Sequence, residues 1–260
     1  MKDLALLTDF YQLSMMQGYF FTKPDQTAVF DVFYRKNPSG GGYAIFCGLS
    51  EVADYIENLK FSDDDIAYLK SLNFFKPEFL EFLRGFKFSG EIYAMDEGQI
   101  VFPHEPLIRV KANIMEAQLI ETAILNTINF QTLVATKSSR INFSAQGDSV
   151  MEFGLRRAQG RSAGIYGAKA AIIGGCSATS NVLAAKKFDV PTIGTHSHSW
   201  IQSFDSELEA FRAYAKIYPN STLLLVDTYD TLASGVPNAI KVFEELRAVS
   251  YTHLTLPTKR

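Results

Sequence analysis

The chain has 260 residues, of which 47% are hydrophobic and 20% are charged. These proportions are typical of a globular protein and exclude a disordered chain, a collagen-like repeat and a coiled coil. The formal net charge is -3, so the chain lacks the excess of basic residues that is typical of a nucleic-acid-binding protein. No apolar run approaches the roughly 20 residues that span a bilayer, and the first residues reach Thr8 and Asp9 too soon for a signal peptide. We therefore expect a cytoplasmic protein that binds neither membranes nor nucleic acid.

Two cysteines, Cys47 and Cys176, stand among small or apolar neighbours and lack CxxC spacing. This pattern predicts neither a disulfide framework nor a zinc site. Each cysteine is expected to be a small buried hydrophobic residue.

The first strands are predicted close to the N-terminus. Residues 28–34 are β-rich in composition, and the turn residues at 37–42 separate them from a second short strand over 43–47. These two strands are predicted to form a hairpin. Further β-like pieces, interrupted by glycine and proline, lie within residues 90–110.

Three helical regions are predicted in the same part of the chain. Acidic residues after Ser62 suit the first turn of a helix, and Pro77 suits the first turn of another. Apolar residues from 117 to about 140 recur at helical spacing. We therefore expect an N-terminal α+β domain over residues 1–115 and connecting helices over 116–146.

The pattern changes after residue 147 to alternating strands and helices. Strands are predicted over 150–154, 192–195 and 222–227, and helices over 180–188, 206–218 and 237–247. Continuous apolar strands that alternate with helices are typical of a parallel sheet. Only about three such units follow, whereas a closed barrel has roughly eight. Residues 147–248 are therefore predicted to be the first part of an incomplete TIM-like α/β barrel.

The last residues, 249–260, depart abruptly from this pattern. We interpret them as a non-native tail that follows a truncated gene. His253 within them is given no functional weight.

Polar side chains follow each predicted barrel strand, where α/β barrels carry their active sites. His196 and His198 lie after the strand over 192–195. A neutral imidazole can attack phosphorus, act as an acid or base, or bind a metal. No further ligands converge at recognisable spacing, so no protein metal site is predicted. A hydrogen-bonded pair of histidines in a turn is the structural alternative.

Three arginines, Arg156, Arg157 and Arg161, follow the strand over 150–154. Guanidinium groups match phosphate and carboxylate geometry in a bidentate way. A phosphate-binding loop is one interpretation of this cluster. A solvated basic loop is the other.

Other polar positions also allow two interpretations. The segment 174–181 precedes a helix and could bind an anion or form a simple N-cap. Asp227 and Asp230 could bind Mg²⁺ or a ribose, or could cap a helix. An aromatic ring within residues 8–12 could stack on a flat ligand, or could simply pack. Together these features suit a phosphorylated substrate.

At this point a family resemblance adds to the interpretation. The chain resembles nicotinate phosphoribosyltransferases in six ordered stretches: TDFYQLSMMQGYF (8–20), FYRKNPSGGGYAIFCGL (33–49), GLRRAQG (154–160), SNVLAAKKFDVP (180–191), GTHSHSW (194–200) and LLVDTYDT (224–231). The resemblance implies a type II phosphoribosyltransferase fold and a homodimer. It also implies the joining of nicotinate to phosphoribosyl pyrophosphate, coupled to ATP hydrolysis through a phosphohistidine, with Mg²⁺ as a cofactor.

The same resemblance implies a role for individual residues. The motif Gly-Thr-x-x-His-Ser places the phosphohistidine at His198 and a nicotinate contact at Thr195. Tyr11 would stack on the pyridine ring from the partner subunit, with Phe153 on the other face. The phosphoribosyl and phosphate groups would be bound by Arg156, Arg157, Ser180 and Asp227. His196 stands at a variable position and is assigned only a neighbour's role.

Two alternatives remain open at this stage. The same fold could use nicotinamide or quinolinate as its substrate, or the chain could be a non-catalytic ligand-binding homologue. We also expect this polypeptide alone to be inactive and to fold poorly, because an open barrel exposes strand edges and core.

Overall fold

The computed structural model describes the backbone of residues 4–250 and the side chains of residues 4–247. Most of the tail predicted over 249–260, including His253, lies outside the described residues. The chain divides into two compact units, the first ending at Thr192 and the second beginning at Ile193. None of the described helices has the length and hydropathy of a membrane span.

The first unit mixes helices with short strands. Its helices are α1 (Phe10–Thr22), α2 (Leu49–Glu57), α3 (Asp63–Ser71), α4 (Pro77–Arg84), α5 (Ile114–Leu119), α6 (Glu121–Ser144), α7 (Arg161–Ile173) and α8 (Val182–Phe188). Its strands are β1 (Thr27–Val32), β2 (Ala44–Ile45), β3 (Glu91–Ala94), β4 (Ile100–Val101), β5 (Ile108–Asn113), β6 (Met151–Glu152) and β7 (Ala178–Thr179).

The predicted hairpin between 28–34 and 43–47 is wrong. β1 pairs antiparallel with β5, which also pairs with β3, whereas β2 pairs with β4 in a separate sheet. The loop between Val32 and Ala44 is far longer than the tight loop of a common hairpin. β5 offers instead a regular alternation of buried and exposed residues, which gives β1 and β3 a shared apolar face to cover.

The helix signals of the first unit are confirmed. The Ser62 hydroxyl accepts a hydrogen bond from the Asp65 amide, and the Asp65 carboxylate accepts one from the Ser62 amide, so α3 opens with a capping box. Pro77 is the first residue of α4, and α6 forms the long connecting helix with a buried face. Phe46, Phe79 and Leu119 are fully buried in the core that these helices share. Burial of each such side chain stabilises the fold by about 1.5–3 kcal/mol.

Of the strands predicted for the barrel part, the one over 150–154 forms, as β6, and its parallel partner β7 was not predicted. β6 and β7 pair in parallel, with Met151 opposite Ala178, and Thr179 forms a further parallel bridge to Thr192. Helix α7 between these strands was not predicted, because its glycines and alanines carry little hydrophobic pattern. A Cβ at Gly174, which ends α7, would lie 2.6 Å from the Ser138 Cβ of α6. The small residue therefore permits close packing of α7 on α6.

The second unit contains α9 (His198–Gln202), α10 (Glu207–Ile217), a π-helical turn (Thr231–Gly235) and α11 (Val236–Ser250). The helix predicted over 206–218 is confirmed as α10, which begins after Ser206, whose hydroxyl accepts from the Glu209 amide. Its Phe211 and Ala215 are buried together with Ile201 of α9 and Val242 of α11.

The strands predicted over 192–195 and 222–227 are not formed in the described part of the chain. The two segments are connected through side chains instead of a backbone ladder: Thr195 Oγ1 donates to the Leu223 carbonyl at 2.6 Å, and the Leu225 amide donates to His196 Nε2 at 3.3 Å. The two strand predictions are therefore wrong. They rested on apolar runs alone, and a strand also requires a neighbouring strand to pair with.

Candidate functional site

His198 is the first residue of α9, and its side chain is 53% exposed. Its Nδ1 lies 3.3 Å from the Thr228 hydroxyl oxygen and 3.9 Å from an Asp227 carboxylate oxygen. The nearby Asp227 carboxylate favours the tautomer that carries its proton at Nδ1, and the Thr228 hydroxyl oxygen can accept that proton in a hydrogen bond. That tautomer leaves the Nε2 lone pair available, and no described residue forms a hydrogen bond with Nε2. The arrangement is that of an accessible nitrogen nucleophile.

Helix α9 is short but anchored beneath His198. Trp200 Nε1 donates to the Ala210 carbonyl of α10 at 3.1 Å, and Ile201 is fully buried. The Ser197 and Ser199 hydroxyls are hydrogen bonded to each other at 2.6 Å on the exposed side. The helix therefore holds the histidine at the surface of a packed core.

Thr195 is exposed, and its hydroxyl donates to the Leu223 carbonyl. Because the hydroxyl proton is already used, the oxygen can still accept a hydrogen bond from a ligand. Thr195, His198 and Asp227 all belong to the second unit.

His196 has a different environment from His198. Its ring packs edge-on against Tyr214 at 4.8 Å and lies 6.0 Å from the Phe211 ring. Burial lowers the pKa of His196. Nε2 accepts the Leu225 amide, while Nδ1 is buried without a partner among the described residues. His196 therefore belongs to the structure beneath the site.

Asp230 and the segment before α8 form helix caps, which is one of the two interpretations given for each from the sequence. Asp230 Oδ1 accepts from the amides of Leu232 and Ala233, at 3.0 and 2.7 Å. Asn181 caps α8 by accepting from the Ala184 amide at 3.1 Å. A capping role for Asp230 leaves Asp227 as the free carboxylate of this stretch.

The first unit gathers the arginines and Ser180 at one edge of the β6–β7 pair. Phe153, Arg156 and Arg157 follow β6 and are exposed, and the two arginines lie in a 3-10 turn. Ser180 follows β7, and its amide donates to the Glu152 carbonyl at 2.9 Å. Since the carboxyl ends of parallel strands share an edge, these groups face the same side of the sheet.

Tyr11 lies elsewhere in the first unit, in the first turn of α1, and is half-exposed. Its neighbour Phe10 packs against Phe74 and Phe75. Tyr11 lines a groove of about 1050 Å³ that Arg35 and Lys36 also line.

Arg35 and Lys36, which line the groove with Tyr11, and Thr228, which contacts His198, were not singled out from the sequence. Arg35 and Lys36 stand in the stretch FYRKNP, and Thr228 directly follows Asp227. Their positions in the motifs were the available signal. What they contact could not be read from the sequence.

A partly buried charge cluster fastens α7 to the N-terminal part of the first unit. Lys169 Nζ lies 2.7 Å from Glu51 Oε2 and 3.1 Å from Glu97 Oε1, and Glu97 also accepts the amides of Gly48 and Leu49. Burial alone would raise the pKa of Glu97, but the Gly48 amide and the Lys169 ammonium outweigh it and hold the pKa below its usual value. For Lys169, burial is likewise outweighed, by the two glutamates, and the pKa is raised.

Comparison with known proteins links both parts of the chain to one family. Residues 6–129 match the nicotinate phosphoribosyltransferase N-terminal domain, and residues 149–246 match the nicotinate phosphoribosyltransferase family. The chain is 44% identical over 242 residues to a nicotinate phosphoribosyltransferase of Mycobacterium tuberculosis, covering 93% of this chain and 52% of that protein. It is 47% identical over 244 residues to one from Bacillus subtilis, covering 94% of this chain and 50% of that protein.

Solved structures agree with this result. The crystal structure of human nicotinic acid phosphoribosyltransferase superposes with a TM-score of 0.84 at 30% identity, covering 92% of this chain and 58% of the human one. A nicotinate-nucleotide pyrophosphorylase from Pyrococcus furiosus has a TM-score of 0.74 at 23% identity, covering 92% of this chain and 54% of that one, and shows the fold alone. The predicted α/β class of a type II phosphoribosyltransferase is confirmed.

The chain spans about half the length of the curated relatives it matches. The two family matches together cover most of the chain, and the second includes the His198 motif. The chain belongs to the nicotinate phosphoribosyltransferase family.

Proposed function

We propose that the protein carrying this chain joins nicotinate to phosphoribosyl pyrophosphate, giving nicotinate mononucleotide and pyrophosphate. The names of the relatives support this substrate pair. The observation that carries the chemistry is the exposed His198, whose Nδ1 faces Thr228 and Asp227.

The ATP-coupled step is assigned to His198 Nε2. The Nε2 lone pair attacks the γ-phosphorus of ATP, the N–P bond forms as the bond to the bridging oxygen breaks, and ADP leaves with that electron pair. Thr228 and Asp227 stabilise the proton at Nδ1 as the ring becomes positive. The exposure of the ring gives a nucleotide access to it.

The glycosyl transfer is assigned to the remaining predicted residues. Tyr11 and Phe153 would stack on the two faces of nicotinate, and the Thr195 hydroxyl would contact it, so that the ring nitrogen is oriented toward C1 of the ribose. The cationic and polar groups would bind the phosphates and stabilise the leaving pyrophosphate: Arg156, Arg157 and Ser180.

Mg²⁺ fits this chemistry, with few ligands supplied by the protein. The described residues contain no cluster of three or more acidic, histidine or cysteine side chains that could hold a metal. Mg²⁺ is commonly held by one or two carboxylates together with substrate phosphates and water, and Asp227 would supply one carboxylate. When bound, the ion neutralises charge on the departing pyrophosphate.

The dimer and the location follow from the same proposal. Tyr11 is half-exposed on a groove of the first unit, which suits a ring that completes the nicotinate site of a partner subunit. A cytoplasmic homodimer is therefore the expected form of the protein.

The test uses the product of the complete reading frame that contains this chain. Nicotinate, nicotinamide and quinolinate are offered separately with phosphoribosyl pyrophosphate, with and without ATP. We expect nicotinate mononucleotide from nicotinate, faster with ATP, and an H198A variant that loses the ATP effect. Faster turnover of nicotinamide or quinolinate would overturn the substrate assignment, and nicotinate binding without turnover would identify a non-catalytic homologue.

His104→Asn is the matched control for this histidine. His104 is exposed in the first unit and has a positive φ of 68°, a conformation that asparagine tolerates. We expect its ATP stimulation to equal that of the wild type.

A further inference from the structure

Two segments of the second unit are connected where strands were expected. The Thr195 hydroxyl donates to the Leu223 carbonyl at 2.6 Å, and the Leu225 amide donates to His196 Nε2 at 3.3 Å. The His196 imidazole thus accepts the hydrogen bond that a backbone carbonyl would accept if the two segments were paired strands. It fixes the backbone of the segment that leads to Asp227 and Thr228.

The surroundings of His196 indicate that its acceptor atom, Nε2, is the reason for a histidine at this position. The ring packs against Tyr214 and Phe211, a setting in which a phenyl ring would pack as well. Nδ1 is buried without a partner among the described residues, and such an unmade hydrogen bond destabilises a fold. An imidazole at this position is therefore explained by what Nε2 does.

The segment bonded to His196 carries the groups that face His198. Asp227 and Thr228 stand two and three residues after Leu225 and lie 3.9 and 3.3 Å from His198 Nδ1. Leu224 and Val226 pack into the core on either side of Leu225. The hydrogen bond at Leu225 therefore sets the register of Asp227 and Thr228 relative to the His198 ring.

We propose that His196 is a positioning residue, whose Nε2 holds the 222–228 segment so that Thr228 and Asp227 orient His198 for phosphoryl transfer. The assignment rests on the proposed function of His198. It differs from a general packing role, because it depends on one acceptor atom and not on the ring.

Two variants separate the acceptor from the ring. His196→Phe keeps an aromatic ring beside Tyr214 and removes the acceptor. His196→Gln replaces the ring and keeps an acceptor at about the distance of Nε2. Both are made in the product of the complete reading frame, and folding is compared by circular dichroism.

The first readout is the formation of phosphohistidine from γ-labelled ATP. We expect His196→Phe to slow labelling of His198 about 10-fold or more, since small misplacements of reacting groups produce losses of this order, and His196→Gln to restore most of the rate. Equal labelling in wild type and His196→Phe, or equal losses in both variants, would overturn the positioning role.

The second readout does not depend on activity. In wild-type protein, nuclear Overhauser contacts should join the His198 ring to the Thr228 methyl group, and the ¹⁵N shift of His196 Nε2 should be that of an unprotonated acceptor. The contacts should disappear in His196→Phe and persist in His196→Gln. A protonated Nε2 in the wild type, or contacts that survive in His196→Phe, would overturn the inference.

The two readouts also separate this inference from the proposed function. If the wild type takes no label at His198, the ATP-coupled step is wrong, while the Overhauser contacts still decide whether His196 positions the ring.

Discussion

Replacing Lys169 by methionine is expected to destabilise the first unit strongly. Methionine keeps an unbranched side chain of similar length but removes the ammonium. The Lys169 side chain is 11% exposed, and those of its partners Glu51 and Glu97 are 16% and 20% exposed. The variant therefore leaves two carboxylates close together and largely shielded from water.

The magnitude follows from this burial. Removing one member of a buried ion pair typically destabilises a protein by about 3–5 kcal/mol. Gln131 and the amides of Gly48 and Leu49 still donate to the carboxylates, which reduces the loss. We expect about 2–4 kcal/mol in the free energy of unfolding, or roughly 2–4 °C in Tm for each kcal/mol.

The loss should depend on pH in a defined direction. The pKa of Glu97 is held below its usual value, so its contribution to stability is present above the unfolded pKa and is lost as the pH falls through the folded pKa. The difference between wild type and Lys169→Met should thus be full near neutral pH and shrink below about pH 4.

The assay is urea unfolding of the product of the complete reading frame, with amide exchange measured at Gly48 and Leu49. Both amides should exchange faster in Lys169→Met, because the carboxylate that accepts them is no longer held. Lys186→Met, at an exposed position of α8, is the control and should change stability by less than about 0.5 kcal/mol. A loss below about 1 kcal/mol in Lys169→Met, or one that grows in acid, would refute the reasoning.

Three further predictions concern other parts of the chain. A Cβ at Gly235 would lie 2.7 Å from the Val226 carbonyl carbon, so Gly235→Ala should lower the unfolding free energy by about 1–3 kcal/mol. Gly18 has open space around it, so the control variant Gly18→Ala should be neutral or stabilising. Equal changes of stability in the two variants, measured by calorimetry, would contradict this. Burial raises the pKa of Cys47 to about 12, so mass spectrometry should find it unmodified by iodoacetamide in native protein. Modification before unfolding would show that the thiol is accessible. Tyr11→Ala should raise the KM for nicotinate roughly 3- to 10-fold with little change in Tm, since the ring is half-exposed; an unchanged KM would remove Tyr11 from the site.

Sequence patterns predicted those elements whose signals are local. Ser62, Pro77 and Ser206 open helices as expected, because caps and first-turn preferences act within a few residues. The hairpin was wrong because the partner of β1 lies far along the chain, in β5. Strand pairing of this kind is decided by tertiary packing and not by the composition of either strand.

The candidate site shows the same division. The motif identified His198, and the structure adds its exposure and the approach of Thr228 to Nδ1. The hydrogen bond between the Leu225 amide and His196 could not be predicted, because the segment that contains Leu225 was taken for a strand. Side-chain geometry of this kind depends on distances that a sequence does not contain.

The most direct test of the account is the chemistry at position 198. The product of the complete reading frame is incubated with ATP labelled at the γ-phosphorus, and its peptides are mapped. We predict an acid-labile phosphoryl group on the peptide that contains His198, absent in His198→Ala and retained in His104→Asn. Label that persists in His198→Ala, or no label in the wild type, would contradict the account.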